Sequence, residues 1–167
     1  MIVGVVSDTH VPGKSRGLPR ELIEGICRAD AIVHAGDWLT LDVYEELSAI
    51  APVYGVAGNG DGDEIVRRFG WKTTVELGGV RIGIVHGHTG KGRSTPERAR
   101  LAFADERPDL IVFGHSHIPL LEREGPTVLF NPGSPTDKRR QPRYSYGIVT
   151  IRGGSFEAEH RFFSNRS

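Results

Sequence analysis

Six blocks of polar residues follow short apolar runs along the chain, and each block carries groups that can bind a metal ion. They are Asp8-Thr9-His10, His34-Ala35-Gly36-Asp37, Gly58-Asn59-Gly60-Asp61, His86-Gly87-His88, Gly114-His115-Ser116-His117 and Asn131-Pro132-Gly133-Ser134. Six of the seven histidines lie in these blocks. A single Asp-x-His or His-x-His pair is common by chance. Repetition at the ends of successive apolar runs instead predicts a shared site.

The donor types restrict which ion such a site would take. Carboxylate, imidazole and amide oxygen without thiolate suit Mn²⁺, Fe²⁺, Zn²⁺ or Mg²⁺, and they argue against a thiolate-bound structural zinc. One aspartate between two ions about 3.5–4 Å apart would give a centre that activates a shared water and holds a phosphoryl group. Two divalent ions opposite Asp8, Asp37 and a hydroxide leave about one net positive charge, which favours an anionic substrate.

The first half of the sequence predicts elements that would bring these blocks together. Short apolar runs at 2–6, 31–34 and 53–56 alternate with amphipathic stretches, the pattern of parallel strands joined by crossover helices. The predicted helices are 19–29, one capped by Thr40 and stopped by Pro52, and 64–69. Loops at the carboxyl ends of parallel strands converge on the ligand site of an open α/β fold. The polar blocks occupy these positions.

After Trp71 the pattern indicates antiparallel strands. Runs at 73–77 and 80–85 flank Gly78-Gly79, which is typical of a two-residue hairpin turn. Thr95 as cap and Pro96 at the first helical position predict a helix that ends before Pro108. Further strands are predicted at 110–113, 127–130, 146–151 and 156–163, with Gly153-Gly154 turning into the last. Since no linker or repeat is visible, residues 1–167 are predicted to form a single domain.

In order and spacing, these blocks resemble the calcineurin-like metallophosphoesterase superfamily over about residues 1–150. The Asn131-Pro132-Gly133-Ser134 block followed by Ser145-Tyr146-Gly147 is similar to the small bacterial and archaeal YfcE-type phosphodiesterase branch. The resemblance implies an α/β fold, a four-layer αββα sandwich in which two mixed β-sheets are flanked by helices. It also implies a dinuclear metal centre.

The resemblance assigns a role to each matching residue. The implied ligands are Asp8, His10 and His117 for one ion, Asn59, His86 and His115 for the other, and Asp37 as the bridge. Asp37 and Asn59 would thus also be catalytic residues. The implied cofactors are two divalent ions, with Mn²⁺ favoured over Ni²⁺, Fe²⁺, Zn²⁺ and Mg²⁺.

Position 60 departs from the pattern of many relatives. Phosphomonoesterases and protein phosphatases of the family carry a leaving-group histidine there, whereas this chain has Gly60. The small phosphodiesterase branch also lacks that histidine, so a preference for diesters is predicted. His88 is then the candidate to protonate the leaving group or position a phosphate oxygen; its alternative role is a hydrogen bond from outside the ligand shell.

The function predicted from these residues is hydrolysis of a small phosphate diester by in-line attack of a hydroxide that bridges two divalent ions. A phosphomonoesterase or nucleotidase is one alternative. The other is a non-catalytic scaffold like the retromer subunit Vps29, which uses this fold to bind protein partners. The complete ligand set argues against the scaffold, because a scaffold need not fill all the ligand positions.

Several nearby residues have two interpretations each. Asp61 either orients a ligand or caps a helix, and His34 lies either in the outer shell of the site or in a structural role. The loop cations either border the pocket and bind a second phosphate or are simply solvated. These cations are Lys14, Arg16, Lys91, Arg93, Arg139 and Arg140.

Composition limits the partners and the compartment. Lys+Arg and Asp+Glu balance at 21 each, so neither duplex nucleic acid nor a membrane surface is an expected partner. The start of the chain carries no basic leader, and Cys27 is the only cysteine, so a reducing cytoplasm is expected. Cys27 is predicted to be buried on the inner face of a helix. A homo-oligomer is consistent with the resemblance.

Glycine is present at nearly twice its average frequency. The chain has 22 glycines, and Gly36, Gly58, Gly60, Gly87, Gly114 and Gly133 fall in the polar blocks. We predict that close backbone approach or positive φ at these positions turns neighbouring ligands toward one centre.

Overall fold

A computed structural model describes residues 1–165. Its elements in chain order are β1 (Ile2–Val6), α1 (Arg20–Ile26), β2 (Ala31–His34), α2 (Leu41–Ser48), β3 (Val53–Gly55), α3 (Asp63–Phe69), β4 (Lys72–Leu77), β5 (Val80–Val85), α4 (Thr95–Ala102), β6 (Leu110–Val112), β7 (Leu120–Glu124), β8 (Thr127–Asn131), β9 (Tyr144–Arg152) and β10 (Ser155–Phe163). The longest of these helices have eight residues, and no helix in the described part of the chain could cross a membrane.

The first sheet has the strand order β10-β9-β1-β2-β3. As predicted, β1, β2 and β3 run parallel and are joined by helical crossovers. Strand β9 pairs antiparallel with β1, and β10 pairs antiparallel with β9. This order places β1 at the centre of the sheet and the carboxyl ends of β1, β2 and β3 side by side.

The second sheet has the order β4-β5-β6-β8-β7. The predicted hairpin of β4 and β5 is present, and Gly78 and Gly79 have φ of 57° and 83°, as a primed turn requires. The prediction that this half is antiparallel is wrong for β5, β6 and β8, which are parallel neighbours. The reason is that α4 forms a crossover between β5 and β6.

Three apolar clusters separate four layers of secondary structure. The largest fills the space between the two sheets, with Val5 from one and Ile84 from the other. A second lies between the first sheet and α1, α2 and α3, and includes Leu22 and Leu47. The third holds Phe103 at the end of α4 against Ile111. The predicted αββα sandwich of two mixed sheets is therefore confirmed.

Several local predictions need correction. Ser94, rather than Thr95, is the N-cap of α4, because its side chain accepts a hydrogen bond from the Glu97 amide. Thr40 stands at the N-cap of α2 but makes no capping bond; its hydroxyl donates to the Val11 carbonyl. Cys27 is exposed rather than buried, since α1 ends at Ile26 and the buried stripe ends with it.

Strand β7 was absent from the predicted elements. Its sequence, Leu-Leu-Glu-Arg-Glu, lies at the edge of the second sheet with most side chains exposed, so it lacks the alternation of a half-buried strand. The single domain at 1–167 stays a prediction, and residues 166–167 lie outside the described part of the chain.

Candidate metal centre

The polar blocks follow strands whose carboxyl ends meet at the same edge of the sandwich. Loops after β1, β2 and β3 carry Asp8, His10, Asp37 and Asn59. Loops after β5 and β6 carry His86, His115 and His117. Each of the seven side chains has a donor atom within 3.4 Å of a donor atom of another, so both sheets contribute to one site.

Asp8, His10 and His117 form the first group of donor atoms. Asp8 Oδ1 lies 3.8 Å from His10 Nε2 and 3.4 Å from His117 Nε2. All three atoms are buried and have no hydrogen-bond partner among residues 1–165. Donors bound tetrahedrally to one ion at ~2.1 Å lie about 3.4 Å apart. The spacing and the lack of partners therefore fit a divalent cation among these atoms.

A second group surrounds the amide oxygen of Asn59. This oxygen lies 3.1 Å from His86 Nε2 and 3.1 Å from His115 Nδ1. Asp37 Oδ2 joins the two groups, at 3.2 Å from His10 Nε2 and 3.4 Å from His86 Nε2. Asp8 Oδ1 also lies 3.8 Å from His86 Nε2, a proximity that the predicted division of ligands did not include. Asp37 Oδ2 is thus a carboxylate oxygen close to donor atoms of both groups.

Backbone carbonyls orient two of the imidazoles. His86 Nδ1 lies 2.7 Å from the Ala35 carbonyl oxygen, and His117 Nδ1 lies 2.5 Å from that of Asp137. Because a carbonyl oxygen only accepts, each neutral ring carries its proton on Nδ1 and offers the Nε2 lone pair to the site. The Nε2 lone pair of His86 then faces the Asn59 oxygen at 3.1 Å, and a pair of acceptors at this distance is the arrangement expected of two ligands that would share one cation.

The backbone is strained at five of the candidate ligands. Asp8, His10, Asp37, His115 and His117 have φ of 57°, 45°, 61°, 68° and 61°. Positive φ is uncommon outside glycine and costs of order 1–3 kcal/mol per residue. Its concentration at this edge indicates that the fold supports a constrained arrangement of these side chains.

Asp61 fixes the loops that carry Asp37 and Asn59. Its carboxylate accepts hydrogen bonds from the amides of Asp37, Leu39 and Gly58 at 2.8–2.9 Å. The N-cap of α3 is Gly62, so of the two interpretations the structure favours the orienting role over a helix cap. Gly60 donates its amide to Asp37 Oδ1 at 2.8 Å. A Cβ at Gly58 would lie 2.2 Å from that same oxygen, which explains the glycine.

The charges of the site support one another. Burial alone would raise the pKa of Asp8 and Asp37, but the neighbouring histidines outweigh burial and hold both pKa values below their usual range. Burial alone would lower the pKa of His10, yet Asp37 and Asp8 raise it to about 9. The carboxylates of Asp8 and Asp37 therefore stay ionised and offer negative charge to a cation.

His34 is buried behind the site. Its Nδ1 accepts from the Gly36 amide at 3.1 Å, its Nε2 lies 3.1 Å from the Thr9 hydroxyl, and its ring stacks on Trp38 at 3.7 Å. Burial lowers the pKa of His34 to about 3, despite the opposing charges of Asp8 and Asp37. His34 is thus a neutral histidine that holds the loops of both Asp8 and Asp37.

His34 predicts a loss of stability in acid. Above about pH 6.5 the His34 ring is neutral in both the folded and the unfolded chain. Below that pH only the unfolded chain takes up the proton, so the free energy of unfolding decreases as the pH is lowered. His34→Asn keeps an acceptor for Gly36 and removes the titration. Urea unfolding with chelator present should show that the wild type loses about 2 kcal/mol more than the variant between about pH 7 and pH 5. Equal losses in the two proteins would contradict this role.

His88 does not reach either group of donor atoms. It is half-buried, and its ring centroid lies 5.3 Å from that of His86 and 6.2 Å from that of His115. Its Nδ1 is buried and has no hydrogen-bond partner in the part of the chain that the structure describes. Burial and the charges of those two histidines lower the pKa of His88. The geometry places it beside the site rather than among the donor atoms.

The structure also shows site residues that the sequence did not single out for a role. Ser134 and Thr136 donate their hydroxyls to the Asp8 carbonyl at 2.8 Å and 3.2 Å. Asn131 Nδ2 donates to the Gly114 carbonyl and to the Ser116 hydroxyl, at 3.1 Å each. The signal for Asn131 and Ser134 is the Asn131-Pro132-Gly133-Ser134 block itself, whereas Thr136 lies just outside it.

One loop cation contacts a candidate ligand directly. Arg139 donates from Nη1 to the His115 carbonyl at 3.3 Å, and its Nε lies 4.0 Å from an Asp137 carboxylate oxygen. The Asp137 carbonyl in turn faces His117. Arg139 therefore borders the loop of His115, while binding of a second phosphate by the loop cations stays a prediction.

Comparisons with known proteins agree with this geometry. The family profile described as the calcineurin-like phosphoesterase superfamily domain matches residues 1–154. A probable metallophosphoesterase of Methanothermobacter thermautotrophicus is 32% identical in an alignment of 163 positions that covers 95% of this chain and 91% of that protein. Phosphodiesterase YfcE of Escherichia coli K12 is 31% identical in an alignment of 114 positions that covers 64% of this chain and 58% of YfcE.

Solved structures share the fold. Wild-type Vps29 of Entamoeba histolytica, determined in complex with Zn²⁺, superimposes with a TM-score of 0.79 at 23% identity, over 97% of this chain and 99% of Vps29. This likeness concerns the fold alone. With a family profile matched over most of its length and donor groups gathered at its strand ends, the chain belongs to the calcineurin-like phosphoesterase superfamily.

Proposed function

We propose that the protein is a metal-dependent phosphodiesterase that hydrolyses a small phosphate diester. The observation that carries this proposal is a set of buried donor atoms that have no hydrogen-bond partner among the described residues: Asp8 Oδ1, His10 Nε2 and His117 Nε2. They lie next to Asn59, His86 and His115. We propose all of these side chains and Asp37 as ligands. Two divalent ions, with Mn²⁺ favoured, would supply the Lewis acidity and the activated water for in-line attack on phosphorus.

The chain's own residues prepare that chemistry. Ala35 and Asp137 keep two imidazoles in the tautomer that presents Nε2 to the site. Asp37 and Asp8 hold negative charge where the cations would bind. Asn59 is exposed, so its side-chain amide can contact both a cation and a phosphate oxygen.

The preference for diesters rests on Gly60 and His88. Gly60 offers no side chain to protonate a leaving group, and its amide is already bonded to Asp37 Oδ1. His88 is the remaining imidazole beside the ligands, with a lowered pKa that keeps it largely neutral near neutral pH. We propose that His88 donates a hydrogen bond to the substrate from the edge of the site.

The proposed substrate is a small molecule and the proposed compartment is the cytoplasm. The zero formal net charge offers no broad basic surface for duplex nucleic acid. Cys27 is exposed and is the only cysteine, which suits a reducing compartment. Association of identical chains is compatible with the same function.

A Vps29-like protein scaffold is the second candidate function. The likeness of fold to Vps29, at a TM-score of 0.79, favours it. The strained backbone at five candidate ligands argues for the enzyme, because a scaffold has no use for that strain. Nucleotidase or other monoester activity is a further alternative at the same centre.

A test of the proposed function begins with metal-stripped protein. Activity on matched monoesters and diesters should be absent after chelation and return with Mn²⁺, and turnover of the diester should exceed that of the monoester. Ni²⁺, Zn²⁺ and Mg²⁺ in parallel would rank the metals. Metal-dependent turnover of monoesters alone would replace the diesterase by a phosphatase. No turnover with any metal, together with a protein partner that co-purifies in fixed ratio, would replace the enzyme by the scaffold.

A further inference from the structure

Trp71 is an exposed indole that stands beside the candidate metal centre. It lies between α3 and β4, directly after Gly70, whose φ is 69°. The next residue, Lys72, pairs with Val85 at the end of β5, so Trp71 lies at the sheet edge from which His86 and His88 extend. Trp71 is 49% exposed and belongs to none of the three apolar clusters. Its position is therefore not explained by packing in the core.

The contact of Trp71 is with a histidine of the site. Its ring centroid lies 5.5 Å from that of His88 in a tilted arrangement. His88 is in turn 5.3 Å from His86 and 6.2 Å from His115 by the same measure. Trp71 and His88 thus form a continuous aromatic wall that begins next to two candidate ligands and ends in solvent.

The location distinguishes Trp71 from the other exposed apolar side chains. Ile118 and Leu121 lie just before and within β7, and Phe162 lies on β10 under the Arg143 guanidinium. Trp71 is the large exposed aromatic that touches a histidine of the polar blocks within the described residues. An indole presents a flat π-face that stacks on any aromatic ring, and base–aromatic stacking tolerates every base.

We propose that Trp71 is the stacking platform for an aromatic group carried by the phosphate ester, either a nucleobase or an aryl ring. The proposal rests on the proposed function, because it takes the phosphate to lie at the metal centre. Under this proposal, the aromatic wall of Trp71 and His88 favours phosphate esters that carry an aromatic group. Esters with aliphatic groups alone forgo this contact.

The test compares ligands that share a phosphate but differ in the aromatic group. Adenosine 5′-monophosphate, ribose 5-phosphate and phenyl phosphate are titrated into the Mn²⁺-loaded protein by calorimetry. Adenosine 5′-monophosphate should bind about tenfold more tightly than ribose 5-phosphate. Trp71→Leu should remove that difference and leave ribose 5-phosphate within about twofold, whereas Trp71→Phe should retain most of it. Phenyl phosphate shows whether any aromatic ring suffices or a nucleobase is required.

Fluorescence gives a readout that does not depend on turnover. Of the two tryptophans, Trp38 is fully buried and Trp71 is exposed, so acrylamide should quench Trp71 selectively. Adenosine 5′-monophosphate should protect it from quenching and ribose 5-phosphate should not. Phe162 is another exposed aromatic residue and lies on β10. Phe162→Leu is therefore the matched control and should change none of these results.

The outcomes separate this proposal from the proposed function. Equal binding of the three ligands, or a preference that survives Trp71→Leu, would overturn the platform even if diesters are hydrolysed. Trp71-dependent binding of adenosine 5′-monophosphate without any hydrolysis would uphold the platform and overturn the enzyme. An exposed Trp71 that only a protein partner shields would overturn the platform in favour of a protein interface.

Discussion

Asp37→Asn is expected to abolish metal-dependent hydrolysis and to reduce metal binding at both groups of ligands. Asp37 Oδ2 is the oxygen that lies within 3.4 Å of donor atoms in both groups. Asparagine keeps the shape but removes the negative charge that faces the cations. Loss of several kcal/mol of electrostatic stabilisation corresponds to a fall in turnover of about 10³-fold or more. Metal content after dialysis and turnover of a bis-aryl phosphate should fall together.

The same substitution is expected to leave the fold intact. The Oδ1 atom of an asparagine at position 37 can still accept a hydrogen bond from the Gly60 amide, so the local turn keeps that bond. Asp42→Asn, at an exposed position in the first turn of α2, removes the same charge away from the site and serves as the control. If Asp37→Asn hydrolysed the bis-aryl phosphate at the wild-type rate, the assignment of the centre would be wrong.

Gly114→Ala is expected to damage both stability and metal binding. A Cβ at this position would lie 2.0 Å from Ser7 Oγ and 2.5 Å from Asp8 Oδ2. Asp8 is buried, and this oxygen accepts from the Ser7 hydroxyl and from the His115 amide, so it has little room to move. Crowding of this kind costs about 1–3 kcal/mol. Because Asp8 would be displaced, metal affinity should fall by about 10–100-fold as well.

Gly17→Ala provides the comparison for this effect. Gly17 lies in the same loop between β1 and α1 as Asp8 and His10, but a Cβ at Gly17 meets nothing within 4 Å in the described residues. The unfolding free energy and the metal affinity of the Gly17→Ala protein should therefore remain close to those of the wild type. Wild-type metal affinity in Gly114→Ala would show that the loop after β6 can yield, and that the close packing against Asp8 does not position the ligand.

The meeting of the polar blocks at one edge of the sandwich is easier to predict from the sequence than the edge strands are. Asp8 and Asp37 follow strands that are buried on both faces, and such runs are distinctive even in a single sequence. The division of the ligands between two ions came from the resemblance, and it missed the proximity of Asp8 to His86. That proximity depends on how the two sheets pack, which strand patterns do not encode.

Other features lie beyond sequence patterns for physical reasons. The carbonyls of Ala35 and Asp137 orient two imidazoles, but every residue has a carbonyl, so no residue type marks them. Ser94 and Thr95 are both good caps, and only the hydrogen bond to Glu97 decides between them. A tryptophan beside an apolar strand is more often buried, so the local sequence does not predict that Trp71 is exposed. Its exposure is visible only in the tertiary structure.

The origin of the ligands in two different sheets has a kinetic consequence. Asp8, Asp37 and Asn59 follow strands of one sheet, whereas His86 and His115 follow strands of the other. A chain in which only one sheet has formed holds part of the donor set and binds an ion weakly. Bound ions would therefore link the two sheets only after both have formed. They would leave the rate of folding almost unchanged and would slow unfolding, so that bound metal would lengthen the lifetime of the native state.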